Sequence, residues 1–147
     1  IRYWGKPFAI KGIMSVEDAV RAADIGATAI VVSNHGGRQL DGVSASIDRV
    51  ADIVDAVGDR MEIIADGGIR RGSQIVKALA MGASACMVGR PYLYGLASGG
   101  KNGVSAVLET LRKETERTMG LIGCSQVDEI GRHHLREAGR MPAFLSQ

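Results

Sequence analysis

Ala27-Thr28-Ala29-Ile30-Val31-Val32-Ser33-Asn34-His35-Gly36-Gly37-Arg38-Gln39-Leu40-Asp41 reads as a buried strand that runs into a polar, glycine-rich loop. The run from Ala27 to Val32 is short, rich in β-branched residues and bounded by glycine, which predicts a buried strand. Where the strand ends, a histidine and an arginine stand three residues apart among glycines. The glycines let the backbone take left-handed angles and let a ligand come close. His35 is a group that moves a proton near neutral pH, and Arg38 offers a planar fork that matches a carboxylate. Alone, this loop reads sooner as a solvated surface turn, and the units on either side reverse that reading.

Working outward, the same pattern recurs. Upstream, Pro7-Phe8-Ala9-Ile10 predicts a strand ending on Lys11-Gly12; Ser15 and Asp18 have capping-box spacing, and the helix carrying Val16, Ala19, Val20 and Ala23 stops near Gly26. Downstream, Ser46 stands where it would cap a helix whose Ile47, Val50, Ile53, Val54 and Val57 share one face and which ends at Gly58-Asp59. Strand Glu62–Ala65 then runs into Asp66-Gly67-Gly68-Ile69-Arg70-Arg71-Gly72, followed by a helix with Ile75, Val76, Leu79 and Met81 that ends at Gly82. Strand Ala85–Val88 runs into Gly89-Arg90-Pro91. After it we expect a short helix over Tyr92–Ala97, a loop over Gly99–Gly103, and a long amphipathic helix over Val104–Met119 with Val107, Leu108, Leu111 and Met119 inward. Four β-α units with short connections predict an α/β fold of parallel strands with helices outside, half of an eight-unit barrel. A four-stranded open sheet is the alternative, at the cost of apolar unpaired edges.

Composition narrows the function. The 147 residues suit one domain, and 46% hydrophobic content supplies a core. A net charge of +2 is too small to argue for nucleic acid or a membrane surface as partner, neither of which is expected, and no apolar run reaches the length of a membrane span. Cys86 and Cys124 make neither a disulfide framework nor a metal pattern, which sets a reducing cytoplasm as the expected location. The chain opens Ile1-Arg2-Tyr3-Trp4-Gly5 without an initiator Met, the look of a segment of a longer protein. Residues 1–130 are expected to form the barrel portion and 131–147 a polar tail, with Met141-Pro142 onward loose. His133 and His134 lie in that tail with no partner at ligand spacing, so no metal site is expected.

In such barrels the site lies at the C-terminal ends of the strands. Lys11, Ser33 to Arg38, Asp66 to Arg70, and Gly89 with Arg90 all fall there. Chance solvation would scatter such groups between both ends. Asp66-Gly67-Gly68 with Arg70, and Gly89-Arg90 at a helix start, suit a phosphate dianion.

With these residues in view, the sequence resembles the C-terminal half of the FMN-dependent α-hydroxy-acid oxidases and dehydrogenases, the group of glycolate oxidase, cytochrome-linked L-lactate dehydrogenase, lactate monooxygenase and mandelate dehydrogenase. The resemblance rests on Ile10-Lys11-Gly12-Ile13, Ser33 to Gly42, Asp66 to Gly72 and Gly89-Arg90-Pro91-Tyr92-Leu93-Tyr94, in the family's order, and spans about Lys6 to Ile130. It implies the C-terminal half of a TIM (β/α)8 barrel with FMN as cofactor. Lys11 and Ser33 would meet the pyrimidine edge of the flavin, where the Lys11 charge favours the reduced ring, and Asp66 would hold the ribityl chain. Gly67, Gly68, Ile69, Arg70, Gly89 and Arg90 would surround the phosphate. His35 would be the catalytic base, touching substrate, and Arg38 would bind its carboxylate.

The implied reaction is oxidation of a small 2-hydroxy acid (lactate, glycolate or mandelate type) to the 2-oxo acid. The resemblance further implies a homo-oligomer. It leaves the electron acceptor among oxygen, a quinone, a cytochrome and another protein. A larger or peptide-derived substrate is an alternative, as is a half-barrel that binds FMN or phosphate without turnover. Another phosphate-binding flavin barrel, of the type 2 isopentenyl-diphosphate isomerase kind, shares the glycine turns but does not account for His35 and Arg38 together.

Overall fold

A computed structural model describes Ile1 and residues 3–136. Four strands, β1 (Ala9–Ile13), β2 (Ala29–Val32), β3 (Glu62–Asp66) and β4 (Ala85–Met87), alternate with α1 (Val16–Asp24), α2 (Ile47–Val57), α3 (Gly72–Ala80) and α4 (Arg90–Ile122). The sheet order is β1-β2-β3-β4, every pair parallel, so each helix is the crossover that parallel pairing requires. Four consecutive β/α units are half the complement of a (β/α)8 barrel.

Pleating divides the strand residues between two faces. Ile30, Val32, Ile63 and Ala65 point into a core shared with Ala19 and Ala22 of α1 and with Val50, Ile53 and Val57 of α2. Each fully buried Val or Ile contributes roughly 1.5–3 kcal/mol. On the opposite face Ala9, Lys11, Glu62 and Met87 are exposed. The polar groups of the strand ends therefore project to one rim, clear of the core.

The helix boundaries have local causes. Ser15 caps α1 by accepting the Asp18 N–H at 3.1 Å. Gly26 and Gly82, both left-handed, take the chain out of α1 and α3. Two expectations need correcting. Ser46 does not cap α2: its backbone is already helical, and its hydroxyl bonds elsewhere. The predicted loop over Gly99–Gly103 shrinks to a break at Gly99 and Gly100 inside α4, because only those two residues leave helical angles. Leu111 is buried as expected, whereas Leu108 faces solvent.

The second layer is α3 against α4. Glu114 of α4 accepts the Gly72 N–H at 2.9 Å and pairs with Arg71 at 2.7 Å, capping α3 from outside. The Gly72 hydrogen bond, together with the Arg71 guanidinium, holds the Glu114 carboxyl below its ordinary value. A Cβ on Gly72 would stand 2.2 Å from the Thr115 nitrogen, so only glycine admits this approach. Beyond Gly123, a 3-10 turn over Arg132–His134 returns to the helices: Arg132 bonds Asp55, and His134 Nε2 lies 3.5 Å from Cys124 Sγ. His134, placed by the sequence in a polar tail, thus meets a buried thiol. The expectation for Met141-Pro142 lies outside the described residues. Both cysteines are free, and burial pushes the Cys86 thiol up to about 11, which keeps it protonated and inert at neutral pH. Among the described residues no helix is long and apolar enough to cross a membrane.

Candidate active site

At the C-terminal rim of the sheet lies a cleft of about 450 Å³, lined from four strand ends by Lys11, His35, Arg38, Asp66, Arg70 and Arg90. Gly67, Gly68, Ile69 and Gly89 also line it. Ser33 lies just beneath, 1% exposed. All eleven residues singled out in the sequence are therefore brought together.

The floor is a compact polar knot. Ser33 Oγ donates to Asp66 Oδ2 at 2.7 Å and accepts from Lys11 Nζ at 3.0 Å and from the His35 N–H at 3.1 Å. Lys11 also pairs directly with Asp66. Burial works to raise the Asp66 carboxyl, but hydrogen bonds from Lys11 and Ser33 and the charges of Lys11 and His35 outweigh it and hold the group below its ordinary value. The unfolded carboxyl titrates near ~3.9. The knot's contribution to stability is therefore complete above that pH and is lost as pH falls through the lower folded value. Asp66→Asn is expected to flatten this acid limb: its urea midpoint should fall less between about pH 5 and pH 3 than that of the unsubstituted protein. Equal slopes would show that the pair does not hold the floor together.

His35 sits in the left-handed region at φ 55°, the one described non-glycine residue to do so, and Gly36 and Gly37 follow at 71° and 75°. Histidine tolerates this region better than most residues, but the conformation still needs support. The ring lies over Gly12, where a Cβ would stand 2.6 Å from Nε2. Glycine at that position is thus a condition for the ring's placement. Arg38 follows the turn and is exposed toward the cleft.

At the opposite wall, Gly67 and Gly68 turn the chain with φ of 107° and 76°. Gly89 precedes α4 without any side-chain cap, leaving the first N–H groups of that helix open. Open space adjoins both Gly68 and Gly89. Arg70 and Arg90 have no carboxylate partner among the described residues. Two free guanidinium groups, bare backbone and an uncapped helix start fit a phosphate dianion. Among the described residues no cluster of three metal-ligating side chains occurs.

Sequence reasoning missed Asn34 and Ser46, whose bonds shape the His35 turn, and the wall residues Gln39, Met87, Tyr92 and Leu93. The available signal for Asn34 was its type and place, an amide directly before a glycine-rich turn.

Fold and site together define an α/β unit of barrel type, with a histidine, three arginines and a lysine gathered at one rim. The family model for FMN-dependent dehydrogenases matches residues 1–137. The L-lactate oxidase of a Nostoc species is 57% identical over 124 residues, covering 84% of this chain and 34% of the relative. A peroxisomal (S)-2-hydroxyacid oxidase of Arabidopsis thaliana is 48% identical over 140 residues, covering 95% and 39%. The pre-mycofactocin synthase of Mycobacterium tuberculosis is 51% identical over 127 residues, covering 86% and 32%. A mandelate oxidase variant solved with (S)-mandelic acid superposes with a TM-score of 0.83 at 52% identity, over 86% of this chain and 38% of that one. The chain belongs to the FMN-dependent dehydrogenase family, whose cofactor is FMN. It spans about a third to two-fifths of the length of the relatives it matches.

Proposed function

We propose that this chain supplies the phosphate grip, the base and a carboxylate clamp of an FMN-dependent oxidoreductase that converts a 2-hydroxy acid to its 2-oxo acid. One observation carries the reading: Lys11, His35, Arg38, Asp66, Arg70 and Arg90, from four separate strand ends, face a single cleft. A binding module without turnover is less favoured, because the relatives matched are named oxidases, dehydrogenases and a synthase.

Gly67, Gly68, Ile69, Arg70, Gly89 and Arg90 would hold the FMN phosphate, while Lys11 and Asp66 would meet other polar groups of the cofactor and Ser33, buried beneath them, would brace both. FMN, when bound, supplies the acceptor for two electrons. Arg38 pairs with the substrate carboxylate, ideally through two parallel hydrogen bonds, and so fixes which substrate carbon faces the ring of His35. His35 accepts one proton from the substrate, and its ring nitrogen Nε2 is the atom held over Gly12. Lys11 adds positive charge on the same rim, where negative charge on a bound group is favoured. The free thiols Cys86 and Cys124 support a reducing, cytoplasmic setting, and the exposed Leu93, Tyr94 and Leu96 of α4 offer an apolar surface to a homo-oligomer.

Titration with FMN and with riboflavin tests the grip. Charge-assisted contacts of ~1.5–3 kcal/mol each predict that FMN binds at least about 100-fold more tightly. Anaerobic addition of lactate or glycolate should then bleach the bound flavin. Equal affinity for riboflavin would overturn the grip, and bound FMN that no 2-hydroxy acid bleaches would favour a half-barrel that binds FMN without turnover.

A further inference from the structure

We infer that Asn34, seated on Ser46, is the positioning residue that holds the His35 ring in place; this rests on the reading of His35 as the base. His35, the non-glycine member of three successive left-handed residues, holds a conformation that is unfavourable unless something over-determines it. The groups that do so converge on Asn34. Its side-chain oxygen accepts the Gly36 N–H at 2.9 Å, and its backbone carbonyl accepts the Gly37 N–H at 2.9 Å. Its side-chain amide donates to the Ser44 carbonyl at 3.4 Å, and its own N–H donates to Ser46 Oγ at 3.0 Å. Every polar group of Asn34 is therefore spent on the turn or on the segment that leads into α2.

Ser46 is the anchor of this bracket. It is one of two buried polar residues in the described structure, 4% exposed, and the other is Ser33 in the floor. The hydroxyl makes no cap for its own helix, although serine before an apolar helical run ordinarily does. It also borders Gly67, where a Cβ would stand 3.1 Å from Oγ and 3.6 Å from Asn34 Oδ1. The bracket thus ties the turn that carries His35 to the glycine turn of the phosphate wall. With the N–H groups of His35, Gly36 and Gly37 all bonded within the protein, this loop is no anion nest. Its role is to aim the ring.

The test pairs kinetics with a signal from the ring. In the FMN-loaded protein, Asn34→Ala is expected to lower kcat on the order of 100-fold, as a displacement of about 1 Å does. Asn34→Asp, which keeps the acceptor for Gly36, should recover about tenfold of that loss. Before FMN is added, the His35 Cε1–H resonance should shift or broaden in Asn34→Ala and return toward its original position in Asn34→Asp. If Asn34→Ala does not fold, Ser46→Ala, which removes only the acceptor of the Asn34 N–H, gives the same readout. An unchanged kcat with an unmoved His35 resonance, while His35→Gln is inactive, overturns the inference. Turnover surviving in His35→Gln would instead overturn the function proposed above, and the resonance would still report whether Asn34 positions the ring.

Discussion

His35→Gln is expected to lower turnover of a 2-hydroxy acid by about 10³–10⁴-fold while FMN still binds, the full scale of general acid–base catalysis. The wall proposed to hold the phosphate follows β3 and β4 and shares no side chain with His35, so FMN binding should survive. Glutamine keeps polarity and approximate reach but cannot accept and release a proton near neutral pH. Its backbone is the complication: His35 lies at φ 55°, which glutamine adopts less readily than histidine or asparagine. His35→Asn separates the two causes, since asparagine accepts the left-handed region and also lacks the base. Both variants should show a normal flavin spectrum and almost no anaerobic bleaching with substrate. If His35→Asn retains turnover within tenfold of the starting protein, the proton goes elsewhere and His35 only lines the cleft.

The parts of this site legible in the sequence were those written by neighbours along the chain. The β-branched run before Ser33 marks a strand, Ser15 marks the start of α1, and glycines mark the exits of α1 and α3; all act over a few residues. Strand alternation then places the strand-end residues on one rim without further information. What escaped depends on partners distant in sequence. Ser46 carries the signature of a helix cap, yet the N–H of half-buried Asn34 takes the hydroxyl. Glu114 caps a helix that begins 42 residues earlier, and no periodicity in α4 announces it. His134 shows no partner nearby in sequence; Cys124 reaches it only because the chain turns back after α4. The length of α4 was misjudged for a different reason. A glycine cluster signals a loop, but two residues in non-helical angles suffice to break the helix, and Gly103 stays helical.

Gly103→Ala and Gly120→Ala, two identical changes in the same helix, are expected to move stability in opposite directions. On the usual scale alanine stabilises an exposed helical glycine position by roughly 0.5–1 kcal/mol. Gly120 has nothing within 4 Å of the added carbon, so that gain should appear intact. At Gly103 the same carbon would stand 1.9 Å from the Gly95 carbonyl oxygen and 2.8 Å from its carbon. Those are backbone atoms and cannot rotate aside; carbon and oxygen normally come no closer than about 3.3 Å. The two arms of α4, folded on each other at the Gly99–Gly100 break, must therefore part by more than an ångström. Overpacking of this kind costs about 1–3 kcal/mol, enough to exceed the propensity gain and lower Tm by roughly 2–8 °C. The first arm carries Arg90, Tyr92 and Leu93, which line the cleft, so parting the arms also displaces one wall of the phosphate grip. Gly103→Ala should accordingly weaken FMN by about tenfold, the loss of a single contact worth ~1.4 kcal/mol, and leave riboflavin affinity nearly unchanged. Gly120→Ala should leave both unchanged. If Gly103→Ala melts as high as Gly120→Ala, the close crossing of Gly95 and Gly103 does not set the position of that wall, and the packing of α4 against α3 holds it instead.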